Sequence, residues 1–242
     1  MQYELETTDV SLDLFGSAKS KLIDKGITKN RETPFLLMLR AATSAKKFLV
    51  SRKAKSITIF IGKGNNGEDG LCLAALLKIE NIKTHVIDLE YKSRPESQAY
   101  KLCIDLGIMI EKFNINKIPS SDWYVDGVFG IGLNRDLQGN YLRAINYLQC
   151  SQSKKILSLD LPSGLDGSKG IIFNSAVKAT ATITFLTLKP GLFIDKACDY
   201  TGVIYFDKLG MSKLGYKPDM KAISKETIHI SDLSRSAHKG ER

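Results

Sequence analysis

The sequence lacks the features that mark several classes of protein. It contains no run of roughly 18 or more apolar residues, which excludes a membrane-spanning helix of ordinary length. Its start is polar and acidic, whereas a signal peptide would begin with basic residues followed by an apolar run. The four cysteines form no CxxC pair and have no histidine at ligand spacing, so we predict reduced thiols and no zinc site. We therefore expect a cytoplasmic protein with no membrane partner.

Positive charge is in excess but is not concentrated in any segment. The 35 lysines and arginines outnumber the 26 acidic residues and give a net charge of +9, spread thinly along the 242 residues. A nucleic-acid-binding protein usually gathers its basic residues in a stripe or a tail. We therefore expect no nucleic-acid partner. The hydrophobic share of 43% and the charged share of 25% are those of an average globular protein.

Strands and helices alternate from residue 56 onward. Strand-like runs at 56–62, 83–90, 107–113, 123–130, 154–164, 181–187 and 202–210 enclose helical patterns at 69–81, 97–106 and 137–149. Helices between strands imply parallel pairing with right-handed crossovers. The sequence therefore predicts a three-layer α/β/α, Rossmann-like, doubly wound and mostly parallel sheet. We expect one domain over residues 1–230, including a possible edge strand at 227–230, followed by a basic tail at 231–242.

Two further helices are predicted before the first strand of this alternation. Thr33 and Pro34 form a cap and a first helical position, and the apolar residues that follow predict a helix to residue 50. A weaker pattern over 9–26 predicts a helix that ends at Gly26. We expect both helices to cover the sheet or a second copy of the chain, so a homodimer is one expectation.

The first predicted strand leads into a loop with four glycines, GKGNNGEDG at residues 62–70. Gly62, Gly64 and Gly67 match GxGxxG, but no GK[ST] follows, so the loop is not a Walker A motif. Glycines allow a ligand to approach backbone N–H groups, and a helix N-terminus favours a phosphate. The alternative is a tight strand-to-helix turn capped by asparagine and aspartate.

Polar residues also lie in one other predicted strand and directly after the next. Asp126 lies inside an apolar strand, where a carboxylate is either a structural hydrogen-bond hub or a cation ligand. After the next strand, Asp160, Ser163 and Asp166 lie on a turn made rigid by Pro162. Because ligands bind at the carboxyl ends of parallel strands, these groups should form one oxygen-rich crevice with the asparagines of the glycine loop.

Three motifs, in this order, resemble those of the NAD(P)H-hydrate epimerase family. They are GKGNNGEDG at 62–70, DGVFGIGLNRDLQG at 126–139 and DLPSGLD at 160–166, and LKPGL at 188–192 resembles a fourth. The resemblance covers roughly residues 20–210. It implies an isomerase that interconverts the R and S forms of hydrated NADH and NADPH, which carry a hydroxyl at C6 of the reduced nicotinamide ring. Which of the two hydrates is preferred stays open.

The resemblance also implies roles for individual residues. A potassium ion would be bound by Asn66, Asp126 and Ser163, whose hard oxygen donors suit an alkali or alkaline-earth cation. The substrate would contact Asn65, Asn66, Gly67, Glu68, Asp69, Gly130, Ile131, Gly132, Leu133, Asn134, Arg135, Asp136 and Asp160.

Epimerisation requires the loss and return of a hydroxyl, so a carboxylic acid that gives and recovers a proton is the minimal apparatus. Asp160 is the first candidate. Asp69 is the second, because a helix N-terminus should keep it ionised.

The sequence departs from the family pattern in two places. Glu68 replaces the second glycine of the GGD motif, and LMLRAA at 37–42 replaces LMExAG. The tail at 231–242 resembles the start of the dehydratase domain of bifunctional members, so an ADP- or ATP-dependent NAD(P)H-hydrate dehydratase is the expected partner. An alternative hypothesis, favoured most by Glu68, is a non-catalytic nucleotide-binding or scaffold lobe associated with such a dehydratase.

Overall fold

A computed structural model describes residues 3–4, 12–30, 33–91, 94–150, 154–211 and 214–222. Its strands, in chain order, are β1 (Tyr3–Glu4), β2 (Leu12–Leu14), β3 (Ser56–Ile61), β4 (Lys83–Asp88), β5 (Ile110–Lys112), β6 (Trp123–Gly127), β7 (Ile156–Leu159), β8 (Ala181–Phe185), β9 (Val203–Asp207) and β10 (Met220–Ala222). The helices are α1 (Ser17–Asn30), α2 (Pro34–Ser51), α3 (Asn65–Ile79), α4 (Gln98–Asp105), α5 (Gly139–Gln149) and α6 (Cys198–Thr201).

The main sheet is doubly wound, as the sequence predicts. Its strand order is β1-β9-β8-β7-β6-β3-β4-β5, and only β1 is antiparallel to its neighbour. The direction of winding reverses between β3 and β6, where Phe60 lies opposite Asp126. The crevice outside the carboxyl ends of these two strands is therefore the expected ligand site.

Alternate residues of β3 show how the three layers form. Ile57, Ile59 and Ile61 pack into the core cluster that includes α1, α2, α3 and α4. Phe60 points to the opposite face and packs against α5 through Ile145. This alternation is what a strand buried on both faces requires. No helix among the described residues is long and apolar enough to cross a membrane.

The N-terminal helices differ in their fit to the prediction. Helix α2 begins as predicted, because the Thr33 hydroxyl accepts a hydrogen bond from the Leu36 amide at 3.3 Å. Helix α1 instead runs from residue 17 to residue 30, so Gly26 lies inside it and does not end it. A Cβ at Gly26 would lie 2.9 Å from the Tyr216 hydroxyl, so this glycine makes room for a tertiary contact.

Two further observations concern the ends of the chain. Strands β2 and β10 pair in a small second sheet that the sequence pattern does not predict, because each has only three residues. The predicted edge strand at 227–230, the domain boundary at 230 and the tail at 231–242 lie outside the described residues. Those expectations therefore stay predictions.

Candidate active site

The glycine loop is folded tightly between two strand ends. A Cβ at Gly67 would lie 2.0 Å from the Gly62 carbonyl oxygen, and a Cβ at Gly62 would lie 2.3 Å from the Val128 carbonyl oxygen. Both positions therefore require glycine. Helix α3 begins at Asn65, four residues before the predicted start at Asp69, with Gly64 as its N-cap residue. The two asparagines are thus part of the first helical turn and are held rigidly.

A cavity of about 540 Å³ lies between helices α1 and α2 and the carboxyl ends of the central strands. It is the crevice that the sequence analysis expects. Seven of the predicted site residues line it: Asn65, Asn66, Asp69, Gly130, Ile131, Gly132 and Asp160.

Asp126 is a hydrogen-bond hub inside the sheet. It is fully buried, and its two oxygens accept bonds from the Ser163 hydroxyl at 2.5 Å, the Ser163 amide at 2.8 Å, the Ser158 hydroxyl at 2.9 Å and the Val128 amide at 3.3 Å. Burial raises the pKa of Asp126, and the bonds from Ser163 and Ser158 oppose that rise. Of the two roles that the sequence leaves open, the hub is therefore observed.

Asn66 differs from Asp126 in its hydrogen bonding. Its side chain is buried, yet neither its amide oxygen nor its amide nitrogen has a hydrogen-bond partner among the described residues. An unpaired buried amide is costly, so this side chain is suited to a ligand. The amide oxygen of Asn66, the carboxylate of Asp126 and the hydroxyl of Ser163 are the hard donors that a potassium ion accepts. The residues therefore fit the ion that the family resemblance implies.

Asp160 is held on a strained turn at the end of β7. Its φ of +64° is in the left-handed region, which a residue other than glycine adopts at an energetic cost. The turn is fixed by the Asp160 amide, which donates to the Ile183 carbonyl at 2.7 Å. A Cβ at Gly130 would lie 3.0 Å from Oδ2 of Asp160, so the glycine leaves room for this carboxylate. Asp160 thus reaches the cavity wall beside Gly130.

The other oxygen of Asp160 forms an ion pair with Lys189. Only 2% of the Lys189 side chain is exposed, and its ammonium group also donates to the Thr184 hydroxyl at 3.0 Å and to the Phe185 carbonyl at 2.9 Å. All three ammonium hydrogens therefore have acceptors. Asp160 thus has a buried cationic partner on the side away from Gly130.

The pKa of Asp69 is raised, whereas the sequence predicts that a helix N-terminus keeps this residue ionised. Burial raises its pKa well above the ordinary value, and the negative charges of Asp160, Asp24 and Glu68 add to the rise, while Lys189 opposes it. Asp69 is the fifth residue of helix α3 and lies beyond its first turn, so the helix dipole contributes little to its ionisation. Burial and the neighbouring negative charges therefore disfavour the ionised form of Asp69.

Asp24 brings a third carboxyl group to the cavity. It belongs to helix α1, and burial and the charge of Asp160 raise its pKa, while Lys189 opposes the rise. Neither Asp24 nor Lys189 is a sequence-predicted site residue. The LKPGL motif contains Lys189 and was a usable signal, whereas nothing in the sequence around Asp24 distinguishes it from an exposed helical residue.

Six predicted substrate-contacting residues lie away from the cavity wall, and one of them, Gly67, packs against Gly62 within the glycine loop. Asn134, Arg135 and Asp136 are exposed, and Leu133 packs against the cluster beneath α5. Glu68 turns to the far side of the glycine loop, where it pairs with Arg94 at 3.2 Å. Its charge is therefore compensated within the protein. The binding roles of these residues stay predictions.

The second departure from the family pattern, at residues 37–42, is accommodated by helix α2. Leu37, Met38 and Ala41 line the cavity with apolar surface, and Ala42 is almost completely buried beneath them. This segment therefore supplies the apolar wall of the site opposite the carboxyl groups.

Comparison with known proteins addresses the family directly. Residues 35–191, more than half of the chain, match the family described as YjeF-related protein N-terminus. An NAD(P)H-hydrate epimerase of Lentilactobacillus buchneri is 31% identical over 79% of this chain and 91% of its own length. One of Nitrosopumilus maritimus is 31% identical over 84% of this chain and 95% of its own length. The chain belongs to the NAD(P)H-hydrate epimerase family.

Other members of the family are longer. The bifunctional NAD(P)H-hydrate repair enzyme Nnr of Coxiella burnetii is 32% identical over 90% of this chain, but the match covers 46% of that protein. The chain therefore spans about half the length of the bifunctional members of the epimerase family. The crystal structure of yeast ynu0 has a TM-score of 0.73 and 20% identity, covers 86% of this chain and 95% of its own, and supports the fold alone.

Proposed function

We propose that this chain is an NAD(P)H-hydrate epimerase that interconverts the R and S forms of hydrated NADH or NADPH. The observation that carries the proposal is the pair of carboxyl groups in the cavity, Asp69 with a raised pKa and Asp160 with an ammonium partner. Two carboxyl groups in environments that separate their proton affinities can act as acid and base at one pH. Membership of the epimerase family supports the same activity.

The reaction needs a proton at the departing hydroxyl. Protonated Asp69 donates to the C6 hydroxyl, the C–O bond breaks, water leaves and the ring nitrogen lone pair forms a C=N bond. The negative charge of Asp160 stabilises the resulting cation. When water adds to the other face of C6, a carboxylate accepts its proton and the C=N electrons return to nitrogen. Atoms and charge balance, and no cofactor is consumed.

The cavity walls support this chemistry in two ways. The apolar surface of Leu37 and Met38 limits access of bulk water to the ring, which strengthens the interaction of a cation with Asp160. Gly130, beside Asp160, and Gly132 line the cavity with backbone and no side chain, so a flat ring can approach closely. Burial of the ring thus accompanies placement of its C6 atom near the carboxyl groups.

We propose that a potassium ion is held by Asn66, Asp126 and Ser163. Such an ion would supply positive charge at the glycine loop and would be coordinated by the amide oxygen of Asn66, which has no hydrogen-bond partner among the described residues. The test is thermal unfolding in potassium chloride and in tetramethylammonium chloride at equal ionic strength. Potassium should raise the melting temperature of the wild type, and Asn66→Ala should remove that increase. An equal melting temperature in both salts would contradict the proposal.

The partners and the compartment are likewise proposals. The bifunctional relatives suggest that an NAD(P)H-hydrate dehydratase acts with this chain, either fused to it or separate. A homodimer is a further proposal, which sedimentation would test. We also propose a cytoplasmic location, since all four cysteines are free thiols, the state that a reducing compartment maintains.

The experiment that tests the function starts from one purified epimer of NADH hydrate. Chromatography follows the approach to the R and S mixture with and without the protein. An epimerase shortens the approach to equilibrium at catalytic protein concentrations. The same rate with and without protein would contradict the proposal and favour the non-catalytic lobe.

A further inference from the structure

A second crevice lies on the opposite side of the glycine loop from the cavity. Its volume is about 410 Å³, and its walls include Lys63, Glu68, Glu90, Arg94 and Glu96. The backbone of residues 63–68 separates it from the cavity that holds Asp160. A Cβ added at Gly64 would meet no atom within 4 Å, so there is open space for a ligand to cross the loop at this residue.

The two spaces match the two halves of a dinucleotide. In a doubly wound sheet, a dinucleotide crosses the point where the strand order reverses, with its pyrophosphate at the first helix N-terminus. Here that helix is α3, and under the proposed function the cavity with Asp69 and Asp160 would receive the nicotinamide end. The adenosine end then extends toward β4, where the second crevice lies.

The usual ribose ligand of such sheets is not available here. An acidic residue at the end of the second strand usually binds the ribose 2′-hydroxyl, and Asp88 ends β4. Only 1% of the Asp88 side chain is exposed, and Arg94 covers it, with Nη2 3.1 Å from its Oδ2. The same nitrogen donates to the Gly62 carbonyl at 2.9 Å. Asp88 and Arg94 therefore fix the loop.

Glu68 holds the other side of Arg94. Its Oε1 accepts from Nη1 of Arg94 at 3.2 Å, and its Oε2 accepts from the Ser97 hydroxyl. Both terminal nitrogens of the guanidinium group thus point at acceptors within the protein. Arginine is the side chain that would accommodate a 2′-phosphate at this place, and here it is already engaged.

The charges around the crevice also disfavour a phosphate. Three glutamates, Glu68, Glu90 and Glu96, line it with two cations, Lys63 and Arg94, and Asp88 lies directly behind Arg94. Lys63 approaches Glu90 at 3.8 Å, so part of its charge is compensated as well. A 2′-phosphate carries about two negative charges and would meet an acidic wall.

We propose that this crevice binds the adenosine ribose of the substrate and selects a free 2′-hydroxyl over a 2′-phosphate, which makes NADH hydrate the preferred substrate. The substrate assignment rests on the proposed epimerase function. The binding preference can be measured separately from that function, because ADP-ribose and its 2′-phosphate carry no nicotinamide ring and undergo no epimerisation. Glu68, which the family pattern has as glycine, is the specificity-determining residue.

Calorimetric titration with ADP-ribose and with ADP-ribose 2′-phosphate tests the preference without any reaction. The wild type should bind ADP-ribose about tenfold more tightly, because a unit charge near a phosphate in a solvent-filled crevice has an effect of that order. Glu68→Gln removes one negative charge and leaves Nη1 of Arg94 without its ion-pair partner, so the ratio should fall to about threefold or less. Glu80→Gln is the matched control, since Glu80 pairs with Lys46 at the far end of α3, and it should keep the wild-type ratio.

Three results would overturn the inference. They are equal or tighter binding of the 2′-phosphate by the wild type, the same ratio in Glu68→Gln as in Glu80→Gln, and no binding of either probe. Turnover of NADH hydrate and NADPH hydrate is measured in parallel, and the ratio of kcat/KM should follow the binding ratio. If the wild type turns over neither hydrate, the proposed function is contradicted. The titrations then still decide the binding preference, because they involve no reaction.

Discussion

The Lys189–Asp160 ion pair should be among the most sensitive contacts of the cavity. Lys189→Met keeps the length of the side chain but removes the cation, leaving Asp160 with 14% of its side chain exposed and without its charge partner. Removing one partner of a buried ion pair costs about 3–5 kcal/mol. For a protein of this size, each kcal/mol lowers the melting temperature by about 2–4 °C, so a decrease of about 6–20 °C is expected.

Calorimetry or urea unfolding measures this loss, with Lys46→Met as the matched control. Lys46 pairs with Glu80, whose side chain is 46% exposed, and an exposed pair contributes only about 0–1 kcal/mol. In the double variant Lys189→Met with Asp160→Asn, the free energy of unfolding should fall by less than the sum of the decreases in the two single variants, because the unpaired carboxylate is removed. A loss of less than about 1 kcal/mol in Lys189→Met would refute the reasoning.

Three other perturbations test separate parts of the site. Gly67→Ala should destabilise strongly in urea unfolding, since its Cβ would lie 2.0 Å from the Gly62 carbonyl oxygen, whereas Gly132→Ala meets no atom within 4 Å and should stay within about 0.5 kcal/mol of the wild type. Ser163→Ala should cost about 1–3 kcal/mol, because Asp126 loses a buried donor. Between pH 3.8 and the raised pKa of Asp69, the unfolded wild type has lost a proton that the folded wild type still holds, so rising pH destabilises the wild type. Asp69→Asn lacks this effect and should therefore gain stability relative to the wild type as pH rises over this range. A pH-independent difference in stability would contradict the raised pKa.

Local sequence signals were sufficient for much of the fold and part of the site. The alternation of strands and helices predicts the parallel sheet, because each buried strand is a short apolar run between turn residues. Asp126 lies near the carboxyl end of β6 and Ser163 follows the neighbouring strand β7, so their meeting is a consequence of the parallel order. The same reasoning brings Asn66 and Asp160 to one cavity.

The residues that the sequence does not place depend on tertiary packing. Lys189 reaches Asp160 only because the chain after β8 turns back beneath the end of β7. Asp24 joins the cavity because α1 packs over the strand ends. In the first turn of α3, which begins earlier than predicted, Gly67 packs closely against Gly62, and helix propensity does not contain such packing.

The ionisation of Asp69 likewise depends on tertiary packing that the local sequence does not contain. A helix N-terminus predicts a lowered pKa, but two of the carboxyl groups that raise the pKa of Asp69 are Asp24 of α1 and Asp160 after β7, which are distant in sequence. The order of the two catalytic candidates changes as a result. Asp69→Asn, which the sequence predicts to be the milder change, should impair turnover at least as much as Asp160→Asn.

The most direct test measures the rate of interconversion of R and S NADH hydrate by the wild type, Asp69→Asn and Asp160→Asn, each with a folded state verified by circular dichroism. Removing a general acid or base lowers turnover by about 10²–10⁴-fold. We expect both variants to lose activity by that order, with the wild-type rate falling as pH rises through the raised pKa of Asp69. Wild-type turnover in both variants would contradict the assignment of the proton transfer to this cavity.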